Sequence, residues 1–113
     1  MMSMDYPKDA DGDALRRVAN DGSDMAAPMS IDFIAAAPDR AAAEAIGQAA
    51  RGAGFDVSIR QDDPGSNASS WTCTCTRSMV ADYDDIVATQ AQIDRLAQPH
   101  GGHADGWGTF GNA

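Results

Sequence analysis

The sequence has very little glutamate or lysine. It holds one of each, Glu44 and Lys8, so its 17 acidic and 8 basic residues are almost all aspartate and arginine, and the net charge is −9. Nonspecific binding to nucleic acid and attraction to anionic membranes both depend on clustered Lys and Arg. The excess of acidic residues therefore disfavours both nucleic-acid binding and membrane binding. It is typical of a solvated acidic surface or of a surface that binds a basic partner.

Large aliphatic residues are also scarce, and no long apolar run occurs. Alanine supplies 22 residues, whereas Val, Ile, Leu and Phe together supply 15 of the 113. No stretch approaches the roughly 18 apolar residues of a membrane span, and Met1–Tyr6 lacks the basic and apolar regions of a signal peptide. We expect one modestly stable cytoplasmic domain, and two cysteines are too few for a disulfide framework.

Sequence patterns of catalysis are missing as well. Neither a G-x-S-x-G elbow nor a P-loop occurs, and the two histidines, His100 and His103, lie beside glycines without an evident nucleophile. The acidic run Asp9–Asp13 fails as a calcium loop because Ala14 and Asn20 stand where Gly and Glu are required. We therefore expect no enzyme activity.

Cys73 and Cys75 could complete a zinc shell with His100 and His103. Alternate residues of a strand share a face, however, and here that face also carries Trp71, which favours cysteines buried as small apolar residues. We expect no metal and no cofactor. A domain that binds a small molecule or a metal remains the alternative function.

Hydrophobic periodicity predicts seven elements. A leading helix begins near Asp9 and ends at Asn20–Gly22, and carboxylates at Asp39 and Asp82 mark the starts of two further helices. Apolar residues that alternate with polar residues predict the strands. The predicted ranges, in chain order, are helix 9–20, strand 29–36, helix 39–52, strand 55–60, strand 71–76, helix 82–98 and strand 103–107.

This order predicts an α+β fold of the ferredoxin-like split βαβ type. Each strand has one apolar and one polar face, so the two crossover helices should cover one side of a four-stranded antiparallel sheet. The expected strand order is 4-1-3-2, with the leading helix as an extra element. We expect a flexible tail at 1–8, one domain at 9–108 and a flexible tail at 109–113.

The open face of this sheet should carry no aromatic residue. RNA-recognition domains of similar architecture stack bases on such residues, so we expect no direct nucleic-acid binding. A solvated face and a docking surface for another protein both fit this composition. The predicted open face consists of Ser30, Asp32, Asp56, Ser58, Arg60, Thr72, Thr74 and Thr76.

Three segments, taken together, resemble the bacterial ribonuclease E inhibitor family, the B-type regulators of ribonuclease E activity (RraB-like). They are residues 11–25 with the run DGDALRR, residues 53–57 with AGFDV, and residues 101–107 with GGHADGW. The resemblance covers about residues 9–108. Its motif positions in this chain are Asp11, Gly12, Asp13, Leu15, Gly22, Ser23, Asp24, Gly54, Phe55, Gly102, Asp105, Gly106 and Trp107.

The resemblance implies a noncatalytic ferredoxin-like domain that binds an endoribonuclease and modulates RNA turnover. The glycines beside Asp105 suggest a tight turn that seats Trp107 against the sheet, which favours structural roles for the motif. We expect ribonuclease E, or a similar protein with basic segments, to bind through exposed carboxylates. The candidate contacts are Asp56, Asp62, Asp63, Asp82, Asp84 and Asp85.

Overall fold

The computed structural model describes residues 7–61 and 70–112. It contains three α-helices, four strands and one short 3-10 helix within those residues. None of its helices is long and apolar enough to span a membrane, as far as the described residues go. In chain order the elements are α1 (Ala10–Asn20), β1 (Pro28–Ala37), α2 (Arg40–Gly52), β2 (Asp56–Gln61), β3 (Trp71–Val80), α3 (Tyr83–Ala97), the 3-10 helix (Gln98–His100) and β4 (His103–Thr109).

The four strands form one antiparallel sheet in the order β2-β3-β1-β4, which confirms the predicted strand order and the α+β class. β2 and β3 pair as the predicted hairpin, with Asp56 opposite Thr76 and Gln61 opposite Trp71. β1 and β3 pair over ten residues, from Pro28 opposite Val80 to Ala37 opposite Trp71.

A single core lies between one face of the sheet and the helices. Phe33, Ile46 and Ile93, from β1, α2 and α3, are fully buried in the same cluster. Small residues let α2 lie close to the sheet: a Cβ added at Gly47 would come within 3.0 Å of a Val57 methyl group. The alanine-rich stripe therefore compensates for the scarcity of large aliphatic residues by close approach.

Each α-helix begins at an aspartate whose carboxylate accepts a backbone N–H from the first turn. Asp9 accepts from Gly12 at 2.7 Å, Asp39 from Ala42 at 2.8 Å and Asp82 from Asp85 at 3.2 Å. These N-caps satisfy backbone donors that have no partner inside the helix.

Residues at both ends of the described chain contact the rest of the fold. β4 includes Thr109, and the Asn112 side chain accepts from Asp24 N at 2.8 Å and donates to Asp24 O at 3.0 Å. The boundary predicted at residue 108 therefore falls inside β4. Of the tail predicted at 1–8, residues 1–6 lie outside the described residues, and the carbonyl of Pro7 lies against Gly12.

Candidate functional site

The predicted carboxylates of the third helix lie together at the start of α3. Asp82 is the N-cap, and Asp84 and Asp85 are exposed in the first turn. Within the described residues, no hydrogen bond or ion pair engages the side chains of Asp84 and Asp85, so both present full carboxylates to solvent. Asp62 and Asp63 lie outside the described residues.

The structure adds the start of α1 to this surface. The hydroxyl of Tyr83 donates a hydrogen bond of 2.6 Å to the carboxylate of Asp9, 74 residues earlier in the chain. The two helix N-termini therefore meet, and their carboxylates form one surface, which we call the helix-end acidic patch. Its members are Asp9, Asp11, Asp13, Asp82, Asp84 and Asp85.

The sequence predicts the α1 aspartates as a helix start and as part of the family motif, but not as part of the candidate binding surface. Their contribution depends on how α1 packs against α3, and no periodicity in the sequence encodes a contact over this separation. A signal in the sequence is Tyr83, because a half-buried phenol at the start of a helix can carry its hydroxyl to a partner on a neighbouring element.

The hydrogen bond between Tyr83 and Asp9 shifts the pKa of both groups, and each shift favours the protonation state in which the bond forms. Donation from the phenol, followed by the Gly12 N–H, lowers the pKa of Asp9, because both stabilise the carboxylate. The same hydrogen bond raises the pKa of Tyr83, and the negative charges of Asp9, Asp11 and Asp84 add to the effect. Tyr83 therefore lies in a field dominated by carboxylates from both helices.

The other members of the patch are already engaged. Asp11 accepts a 2.9 Å hydrogen bond from the indole N–H of Trp107, and Asp13 pairs with Arg16. Asp9 and Asp82 cap their own helices. Asp84 and Asp85 are thus the members whose oxygens remain available for a new bidentate contact with a guanidinium group.

Asp56 belongs to a different surface. It is the first residue of β2 and lies exposed on the open face of the sheet, opposite the face on which the helices pack. Thr76 of β3 lies between Asp56 and Asp32 of β1, and its hydroxyl donates to Asp32 at 2.6 Å. The structure therefore does not bring Asp56 together with the α3 carboxylates.

The aromatic residues of the strands all face the helices. Phe33, Trp71 and Trp107 contact the buried core, whereas the open-face positions of β1, β2 and β3 carry hydroxyl, carboxylate, small and aliphatic side chains together with Arg60. The exposed face of those three strands thus lacks the rings on which bases stack.

The first and last motifs of the resemblance meet through the Asp11–Trp107 hydrogen bond. Leu15, four residues after Asp11, is fully buried on the same helix. A Cβ at Gly12 would lie 1.9 Å from the Pro7 carbonyl oxygen, so only glycine fits this position without moving the chain. These residues fix α1 against the rest of the fold.

A β-bulge in β4, rather than the tight turn suggested by the sequence, seats Trp107 on the core. Phe33 pairs with Trp107 and Ala35 pairs with Ala104, so three steps along β4 match two along β1. Gly106 takes up the extra residue at φ +110°, a conformation that disfavours side chains. The bulge is flanked by Asp105, which is exposed.

The remaining motif positions also have local structural roles. Ser23 and Asp24 bond to Asn112, and a Cβ at Gly102 would lie 2.4 Å from the Ala36 carbonyl oxygen. Gly22 and Gly54 both adopt φ of +98°. Phe55 is buried beneath the guanidinium of Arg77, which lies 3.9 Å from the ring centroid.

The two cysteines are fully buried in β3, as predicted, with their sulfur atoms 3.9 Å apart. Hydrogen bonding between the thiols lowers the pKa of Cys73 and raises that of Cys75. β1 lies between β3 and the strand of His103. Over residues 7–61 and 70–112, no group of three or more His, Cys, Asp or Glu side chains could hold a metal.

Most of the chain matches a known family model. Residues 8–109 match the family model RraB, described as regulator of ribonuclease activity B. A search of curated proteins found no match. The matched range spans all four strands and all three α-helices, and it includes every motif position named above.

Proposed function

Since the chain belongs to the family of regulators of ribonuclease activity B, we propose that it binds ribonuclease E and inhibits or modulates RNA cleavage without catalysing a reaction itself. The binding surface is acidic, and the partner contributes basic segments. The site of this regulation is the bacterial cytoplasm. We also propose that the fold is ferredoxin-like. Such an arrangement leaves one face and one end of the sheet open to a partner.

The observation that carries the proposal is the meeting of two helix N-termini in the helix-end acidic patch. Six carboxylates lie on one surface, and those of Asp84 and Asp85 are exposed and unengaged among the described residues. Guanidinium groups bind carboxylates through two parallel hydrogen bonds, which gives arginine an advantage over lysine at such a surface. Asp56, at the start of β2, and Asp62 and Asp63, which follow β2 in the sequence, are candidate secondary contacts.

The mechanism we propose is competition. Arginine-rich segments of the ribonuclease that hold RNA or scaffold partners bind the helix-end acidic patch instead. The patch is preorganised, since the capping bonds and the Tyr83–Asp9 bond hold its backbone in place before binding. A preformed surface loses less conformational entropy on binding than a disordered acidic tail would.

The double variant Asp84→Asn/Asp85→Asn tests this surface. Binding to purified ribonuclease E, measured by calorimetry at about 0.1 M salt, should weaken by about tenfold or more, and inhibition of RNA cleavage should fall in parallel. Asparagine keeps the size of aspartate, and the N-cap Asp82 is unchanged, so the fold should be retained.

The matched control is Glu44→Gln/Asp105→Asn, which removes the same amount of charge from exposed positions on α2 and β4. It should bind ribonuclease E nearly as well as the unchanged protein. Equal losses in both double variants would show that net charge acts without a defined surface. Unchanged binding by Asp84→Asn/Asp85→Asn would exclude the helix-end acidic patch.

A further inference from the structure

Phe110 is a large apolar side chain that is fully exposed on an anchored segment. Before it, the Thr109 hydroxyl donates to the Ser30 carbonyl at 2.7 Å. After it, Gly111 N donates to the Thr109 hydroxyl at 3.0 Å, and Asn112 is bonded to residues 23–28. The ring is therefore presented to solvent by fixed neighbours on both sides.

A groove lies directly beside this segment, between α1 and the end of β4. Trp107, Val18 and Ala14 supply its apolar wall, and it is also lined by Arg17, Asp21, Gly108 and Thr109. Its volume is about 200 Å³, whereas a cavity of about 150 Å³ is enough to hold benzene. The groove can therefore accept one phenyl ring.

Phe110 does not fill this groove within its own chain. Thr109 lines the groove, and a Cβ added at Gly111 would lie 3.7 Å from a Val18 methyl group, so both neighbours of Phe110 follow the groove wall. Phe110 itself is fully exposed and is not among the residues that line the groove. A ring held in this way is available to another molecule.

We propose that Phe110 of one copy occupies the groove of a second copy, and that the second copy's Phe110 occupies the first groove in return. A two-fold dimer requires one patch to hold both halves of the contact, and here the ring and its receptor are adjacent. Burying an aromatic ring in a pocket that also contains Trp107 adds ring–ring contact to the area removed from water.

Charge favours a second copy over a basic partner at this place. The groove carries one cation, Arg17, and one anion, Asp21, so it is locally neutral on a chain with net charge −9. Asp84 and Asp85, the two unengaged carboxylates of the helix-end acidic patch, do not line this groove, and Asp11 beside it is already bonded to Trp107. A surface evolved for arginine-rich segments would instead present an excess of carboxylates.

The proposed contact consists of one ring in one groove on each copy, so the dimer should form only at high micromolar protein concentration and above. Sedimentation velocity from about 10 µM to about 1 mM should show reversible dimerisation, because interfaces of this size associate weakly. In the same range, the indole N–H signal of Trp107 should shift with concentration in NMR spectra, while that of Trp71 stays fixed.

Two variants test the two halves of the contact. Phe110→Ala should weaken association by at least about thirtyfold and abolish the Trp107 shift, as expected for a buried aromatic anchor. Ala14→Leu fills the groove and should have the same effect while Phe110 is retained. Val87→Ala is the control: it shortens an exposed apolar side chain on α3 and should leave dimerisation unchanged.

The proposal is overturned if the unchanged protein stays monomeric up to about 1 mM, or if Phe110→Ala dimerises as well as the unchanged protein. Dimerisation without a Trp107 shift would also overturn it, because a different surface would then be responsible. Circular dichroism checks that each variant folds. Since Phe110 is fully exposed, its removal does not disturb the core.

Discussion

At the scale of single residues, the aspartates near the start of α1 differ in what they hold. Asp11 accepts the indole N–H of Trp107 and so ties α1 to β4 over 96 residues of sequence. Asp13, two residues later, pairs with Arg16 on the helix surface. Both are aspartates in the first turn of α1, so replacing each in turn separates the effect of a tertiary contact from that of a local one.

Replacing Asp11 with Ala should therefore lower the free energy of unfolding by about 1.5 kcal/mol, the usual effect of losing a hydrogen bond to a charged group. Asp13→Ala should cost less than about 0.5 kcal/mol, since the exposed Asp13–Arg16 pair is worth little. Both changes remove one charge from the first turn of α1, so helix-dipole effects cancel. Urea unfolding followed by circular dichroism measures both, and equal losses would refute the role of Trp107.

The Tyr83–Asp9 pair makes a prediction about pH. The lowered pKa of Asp9 means that this contact stabilises the fold above the usual carboxyl range, and the effect is lost as the pH falls through the lowered pKa. The raised pKa of Tyr83 means that the contact also stabilises the fold below the usual tyrosine range, and is lost as the pH rises through the raised value. Its contribution is therefore largest between about pH 4 and about pH 10.

Tyr83→Phe removes the hydrogen bond and keeps the ring. In a spectrophotometric titration at 295 nm, the unchanged protein should show one of its two tyrosines ionising later than the other, and Tyr83→Phe should lose the late phase. The stability difference between the two proteins should shrink at both pH extremes. A single ordinary tyrosine transition in the unchanged protein would contradict the contact.

At the scale of elements, the bulge in β4 depends on one backbone conformation. Gly106→Ala places a Cβ on a residue at φ +110° and should cost about 1–3 kcal/mol. Gly108→Ala is the control, because that residue has ordinary φ and its Cβ would meet no atom within 4 Å. Thermal unfolding at low protein concentration compares the two, and similar melting temperatures would show that the bulge tolerates a side chain.

The element boundaries show where sequence reasoning succeeds. Aspartates at 39 and 82 predict helix starts because a cap is a local contact, and both cap their helices in the structure. The β4 bulge could not be predicted, since a bulge breaks the period of two that identifies a strand. The apparent end of the strand at Trp107 is where the pattern is interrupted, and pairing with β1 continues to Thr109.

At the scale of the whole molecule, the strand order could be predicted because alternating strands and two covering helices leave few arrangements. The composition of the candidate surface could be predicted only in part. Asp84 and Asp85 follow from the helix start, but the addition of α1 depends on the Tyr83–Asp9 and Asp11–Trp107 contacts. Such contacts join residues far apart in sequence, and only packing of the complete fold brings them together.

The net charge of −9 leads to a prediction in which salt has opposite effects on stability and on binding. Carboxylates repel one another across the folded chain, so screening should stabilise it, and the melting temperature should rise by a few degrees between about 0.05 M and about 0.5 M NaCl. The same screening weakens the proposed attraction between the helix-end acidic patch and a basic segment, so affinity for the proposed partner, ribonuclease E, should fall over that range. Calorimetric measurements of the melting temperature and of the binding affinity, made in the same series of buffers, check both salt dependences. Binding that is insensitive to salt would exclude an electrostatic interface, and a melting temperature that falls with salt would show that local ion pairs outweigh the repulsion.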